Sequence, residues 1–253
     1  MSYPLPEPDS NPPTPVQFEW TRFDLGTFVI FFAASVFLLP LGMVWIFQFF
    51  QPELTGATLT GVQLVFIQGV MDLLLIAFIF FLIRIVHGLS FLETIKWVPS
   101  HHYGTRFLVT LGATLAVSVL TVSALFPPAS PPPIEKLITS SGALYMFVLL
   151  GVVVAPVVEE IIFRGFLFRV LEDLSGPKVA LPCTAILFAL LHVPQLWGSW
   201  AGILLIFVVG YTLSLIRQRS NSLIPSFIVH TSYNATLFTL YAIGTFAQQT
   251  LKR

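Results

Sequence analysis

Long apolar runs interrupted by short polar punctuation dominate the chain, and their length matches a bilayer rather than a soluble helix. A hydrocarbon core needs about twenty mostly apolar residues per helix. Seven stretches meet or approach that length: 26–50, 62–86, 105–126, 140–171, 177–193, 199–217 and 222–245. Between them stand Gln51-Pro52-Glu53, the charged stretch from Arg84 to Arg106, and the Pro-rich run from Pro127 to Pro133, residues that break helices and start turns. The 177–193 segment is short and contains Leu181-Pro182, which makes it a candidate re-entrant element. The pattern predicts an all-α polytopic membrane protein, a bundle of about seven transmembrane helices (six to eight), without an internal repeat or a soluble domain.

Composition agrees with that reading. Hydrophobic residues make up 56% of the 253 and charged residues 9%, against roughly 25% charged in an ordinary soluble domain. Twelve Lys plus Arg balance twelve Asp plus Glu, so no net field draws the chain to nucleic acid. The expected partners are membrane lipid and a membrane-associated protein or peptide. Cys183 is the sole cysteine and excludes an intrachain disulfide or a thiolate metal cluster. Residues 1–22 begin with a Pro-rich stretch that has the composition of a disordered tail. Beyond it, the pattern divides into N-terminal helices and the Pro-rich loop over 23–139, a membrane core over 140–245 that carries the ionisable groups, and a tail over 246–253. With a cytoplasmic N-terminus, Arg22, Arg84, Lys96, Arg106, Arg169, Lys178, Arg217 and Arg219 fall on the inner side and Lys136, Lys252 and Arg253 outside. That bias favours this multi-pass orientation.

Against this background the polar residues inside the apolar segments stand out, because an ionisable group at the centre of a membrane helix costs about 2.5–3.5 kcal/mol even on the lenient insertion scale. Val157-Val158-Glu159-Glu160-Ile161-Ile162-Phe163-Arg164 places two carboxylates and a guanidinium in one apolar helix. Glu160 and Arg164 are four apart, acid before base, and share a face. Glu159 is turned about 100° from Glu160 and has no opposite charge at helical spacing, so it is the carboxylate left free for chemistry. His192 ends Phe188-Ala189-Leu190-Leu191-His192, and His230 and Asn234 stand four apart on a third segment. Glu160 and His192 are each sixteen residues from Gly176, at the tip of the hairpin that joins their helices, and climb to one depth. His230 reaches that depth only if the turn at Asn221 sits deeper than the one at Gly176.

Read in order as Glu-Glu-x-x-x-Arg, Phe-x-x-x-His and His-x-x-x-Asn, these segments resemble the CAAX-processing and bacteriocin-processing family of intramembrane endopeptidases. Leu191-His192-Val193-Pro194-Gln195 is similar to the bacterial form of the second motif, and the likeness covers about residues 140–240. It implies an intramembrane peptidase in which Glu159 activates water, His192 is its partner, and His230 with Asn234 stabilises the oxyanion, Glu160 and Arg164 supporting them. Family members also include bacteriocin-immunity proteins and scaffolds, so a non-catalytic reading stands beside the enzymatic one. An ion or proton transporter is a third, opposed by the absence of repeated halves.

Two routes to activated water remain open on sequence alone. Glu159, His192 and His230 offer a carboxylate and two imidazoles, a ligand set suited to catalytic zinc; a metal-free route uses Glu159 itself as base. Asp72, four residues after Gln68, either makes a packing hydrogen bond or joins the Arg164 network. His101 and His102 are expected in a solvated loop, and Trp20, Trp97, Trp197 and Trp200 as interfacial anchors.

Overall fold

The computed structural model describes residues 18–50, 61–128 and 150–251, with side chains as far as residue 244. Every regular element among them is helical. The first seventeen residues of the tail, Gln51-Pro52-Glu53, most of the Pro-rich run, residues 140–149, Lys136, Lys252 and Arg253 lie outside the described residues. Helix α1 spans Arg22–Phe50 and α2 spans Gly61–Val86, ending in a π turn at Leu82–Val86. The single turn α3 is Phe91–Thr94, and α4 is Thr105–Leu125. Helix α5 runs through 150–175, followed by α6 (Pro177–His192), α7 (Trp200–Ser220) and α8 (Leu223–Leu251). Helices α1, α2, α4 and α7 are each long and apolar enough to cross a membrane, which identifies a multi-pass membrane protein. At sixteen residues α6 is short, as its sequence indicates.

Large apolar side chains such as Phe37, Trp45, Phe49, Leu73 and Leu204 point outward. In a bilayer they face lipid tails as apolar as themselves, so helix association rests on close van der Waals fit at small residues. Gly112 lets α4 meet α8: a Cβ there would stand 2.5 Å from the Val229 carbonyl oxygen and 2.9 Å from the Tyr233 nitrogen. Gly210 does the same between α7 and α6, where a Cβ would lie 3.0 Å from the Phe188 ring and 3.5 Å from Ala185 Cα.

Helix α5 is not a regular α-helix. Alpha turns at Ala155–Glu159 and Phe168–Ser175 alternate with π segments at Leu150–Val154 and Glu160–Leu167. In the second of these the Phe168 N–H bonds to the Phe163 carbonyl, five residues back. Apolar periodicity does not distinguish this wider winding, which recurs at functional sites.

The charged stretch before α4 is not a simple surface loop. Ile95 is fully buried and packs on Gly165 of α5. Leu223 N–H donates to the Lys96 carbonyl at 2.8 Å and Ser222 Oγ to the Val98 carbonyl at 2.5 Å, so this segment satisfies groups at the start of α8. Lys96 adopts φ +60° to make the turn. Leu223 thereby lies beside Gly165, eleven residues before the Gly176 tip. The second turn is therefore the deeper one, as the depth of His230 requires. His101 and His102 are exposed. Trp20 corrects the interfacial reading: it is 4% exposed, packs edge-on against Phe166 at 5.0 Å, and donates its backbone N–H to Asp173 Oδ2 at 3.3 Å. Trp197 and Trp200 are outward-facing.

The glycine contacts make a clean test. Gly112→Ala should lower thermal stability in detergent by about 1–3 kcal/mol through overpacking. The same exchange at Gly69, with nothing within 4 Å of its Cβ position, should be neutral or stabilising because alanine is the better helix former. Equal melting temperatures for the two variants would remove Gly112 from the α4–α8 interface.

Candidate active site

The π turn of α5 buries Glu160 and Arg164 completely. Arg164 Nη1 donates to Glu160 Oε1 at 3.2 Å, and Nη2 to the Gly210 carbonyl on α7 at 3.1 Å. Its guanidinium carbon lies 4.3 Å from the centroid of the Phe188 ring on α6, within cation–π range. One side chain thus ties three helices together. The intrahelical pair expected from the four-residue spacing forms despite the π winding. His230 of α8 adds a second partner: its Nδ1 is 3.0 Å from the same Glu160 Oε1. Because an ionised carboxylate only accepts, this contact assigns the proton to Nδ1. Glu160 Oε2 and Arg164 Nε are buried without a hydrogen-bond partner.

Glu159 points elsewhere, as the 100° rotation requires. Its side chain is 28% exposed, and its Oε2 lies 3.6 Å from His230 Nε2, an electrostatic contact longer than a hydrogen bond. The His230 ring therefore stands between the two carboxylates, one nitrogen to each. His192 is half-buried, and its Nδ1 donates to the Phe188 carbonyl at 2.8 Å. That bond fixes the ring and leaves Nε2 as the nitrogen with a free lone pair. His192 joins the group through Phe188, whose ring centroid is 4.7 Å from that of His192 and 5.9 Å from that of His230. Asn234 Nδ2 donates to the Gly151 carbonyl at 2.6 Å, bracing α8 against the first π segment. The six residues singled out in the sequence fall around one junction of α5, α6 and α8, with Glu159, Glu160, Arg164 and His230 in direct contact.

The three-ligand metal set does not assemble. Among the described residues no group of three His, Cys, Asp or Glu side chains is placed to hold a metal ion. Glu159, His192 and His230 are therefore not gathered as a three-ligand set among the described residues.

Two contributors carry no chemical signature in the sequence. Gly210 supplies a backbone carbonyl to Arg164, and Gly151 one to Asn234; each is one glycine among sixteen. Asp72 takes a hydrogen bond from Gln68 Nε2 at 2.7 Å, the packing contact foreseen, but its electrostatic neighbour is Glu159. Arg164 is bound instead to Glu160 and Gly210.

Residues 141–236 match the family model of Type II CAAX prenyl endopeptidase Rce1-like proteins, so the chain carries an Rce1-like domain there, holding all six residues. Over 86 residues the chain is 34% identical to UPF0177 protein YxdF of Lactococcus lactis subsp. lactis (strain IL1403). That match covers 34% of this chain and 44% of the relative, which is less than half its length. No solved structure matches.

Arg164→Ala should destabilise the protein by roughly 3–5 kcal/mol, the cost of leaving one partner of a buried ion pair alone, partly offset by His230. Arg164→Lys should recover only part of the loss, because an ammonium does not reproduce the two-pronged contact to Glu160 and Gly210. Thermal melts in detergent read both. A wild-type melt for Arg164→Ala would show that the pair does not hold the helices.

Proposed function

We propose that this chain is an intramembrane endopeptidase that hydrolyses a peptide bond of a membrane-associated protein or peptide, with Glu159 as the base that activates water. The observation that carries the reading is the division of labour between adjacent carboxylates. Glu160 is sealed and bound by Arg164 and His230, whereas Glu159 is 28% exposed and takes no hydrogen bond from the His230 ring beside it. A carboxylate that is partly exposed and not consumed by a donor is suited to accept a proton.

In the reaction Glu159 takes a proton from water as the water oxygen bonds to the carbonyl carbon. The carbonyl oxygen becomes an oxyanion, and the C–N bond breaks as the proton passes to the departing nitrogen. His192, fixed through Nδ1, offers Nε2 to hold the water. Asn234 uses one N–H on Gly151 and offers the other of its carboxamide pair to the oxyanion, and His230 joins it from Nε2 when the ring carries both protons. In this reading Glu159 itself serves as the base. The CAAX prenyl endopeptidase match supports the reaction class, and the excess of Lys and Arg on one side supports a cytoplasmic N-terminus.

Glu159→Gln keeps volume and removes the base, so it should reduce cleavage of a peptide library in detergent below about a hundredth, within the range ascribed to general base catalysis, while leaving the melting temperature near wild type. More than a tenth of wild-type activity would refute the assignment. A non-catalytic scaffold predicts instead no cleavage by wild type and an intact biological phenotype for Glu159→Ala. Exhaustive chelation should leave activity unchanged; loss that is restored by added zinc would reinstate the metal route.

A further inference from the structure

Phe188 of α6 has no side-chain group that bonds to substrate or water, yet its ring meets three polar side chains of the junction, Arg164, His192 and His230. The ring is buried. The Arg164 guanidinium carbon lies 4.3 Å from its centroid, against 5.8 Å from that of Phe163, so Phe188 is the ring that chiefly holds this charge. The His192 ring, one turn along α6, stands 4.7 Å from Phe188 at an interplanar angle of 48°, and the His230 ring of α8 stands 5.9 Å away at 77°.

Packing leaves the Phe188 ring little freedom. Phe163 of α5 meets it edge to face at 5.2 Å. On the α7 side Gly210 comes so close that a Cβ there would lie 3.0 Å from Phe188 Cδ1. Neighbours at this spacing hold a side chain in one rotamer. A fixed ring in turn limits the imidazole beside it. His192 Nδ1 donates to the Phe188 carbonyl at 2.8 Å, and that bond alone lets the imidazole rock about it. The Phe188 ring closes one side of the motion. It also acts on Arg164, whose guanidinium carries five N–H donors. Held against the aromatic face, these stay with Glu160 and Gly210 instead of turning to the lone pair on His192 Nε2.

On the endopeptidase reading, we propose that Phe188 is a positioning residue of the reaction: its ring keeps Arg164 on Glu160 and Gly210 and orients His192 so that Nε2 stays available to water. A misplacement of about 1 Å in groups that hold a reactant costs on the order of a hundredfold in rate. A residue without a reactive atom controls turnover in this way.

Phe188→Leu keeps the backbone carbonyl and an apolar side chain and removes the ring. It should lower kcat by about ten- to a hundredfold with KM within about twofold, the pattern of an arrangement lost in the transition state rather than of lost binding. Replacing Phe188 by phenylalanines with one, two and three ring fluorines keeps the shape and drains the negative charge of the aromatic face. Along that series kcat should fall stepwise while KM holds. Nitrogen-15 NMR of the imidazoles, with His192 assigned by difference from His192→Gln, reads the arrangement without hydrolysis. Wild type should show one neutral tautomer of His192, protonated at Nδ1, and Phe188→Leu a mixture. A flat fluorine series together with unchanged His192 signals in Phe188→Leu would overturn the proposal and leave Phe188 a packing residue, whatever happens to the melting temperature. If wild type cleaves nothing but the His192 tautomer follows the ring, the orienting role of Phe188 stands and the peptidase reading fails. If cleavage requires Glu159 but neither kcat nor the His192 signals respond at Phe188, the reverse holds.

Discussion

The buried ion pair between Glu160 and Arg164 is the constraint on which the rest of the site depends. Neither charge reaches solvent, so each is met chiefly by protein groups. Arg164 uses its two terminal nitrogens on Glu160 and on a carbonyl of α7 and lays its plane against a ring of α6. Glu160 draws in His230 from α8. Meeting the needs of two side chains thus fixes the relative positions of four helices.

The same requirement explains why the site carries two adjacent glutamates. One carboxylate anchors the histidine and the arginine, and in doing so gives up its availability for chemistry. Its neighbour, rotated away, lies beside a histidine already held in position and remains partly exposed. Preorganisation of this kind acts before substrate arrives, because the groups are oriented by folding rather than by reaction. The pair lies in the π segment of α5, which also holds Gly165, the close approach to Ile95.

Glycines set the distances at which these contacts are made. Gly210 serves twice: its missing Cβ lets α6 approach, and its carbonyl meets Arg164. Gly165 admits Ile95 and the start of α8, which raises His230 to the level of Glu159. Without a hydrophobic force between lipid-facing helices, such close approaches do the joining that a soluble core would do by burial.

The sequence by itself determined the helical class, the bounds of most described helices to within a few residues, and the residue types that meet at the junction, because each is a local property. Apolar length is read against bilayer thickness, and Glu160, Arg164, His230 and Asn234 share faces through helix spacing alone. The depth match of Glu160 and His192 followed from counting along one hairpin. Only the tertiary structure decided what depends on neighbours distant in the chain: that His230 sits between both glutamates, that His192 joins through Phe188, that the Ile95 segment inserts beneath α8, and that Trp20 is buried rather than interfacial. The failure of Glu159, His192 and His230 to meet as metal ligands belongs to the same class. Residue types announce what a group can bind, but which lone pairs remain free depends on how three helices cross, and periodicity along one chain carries no record of that.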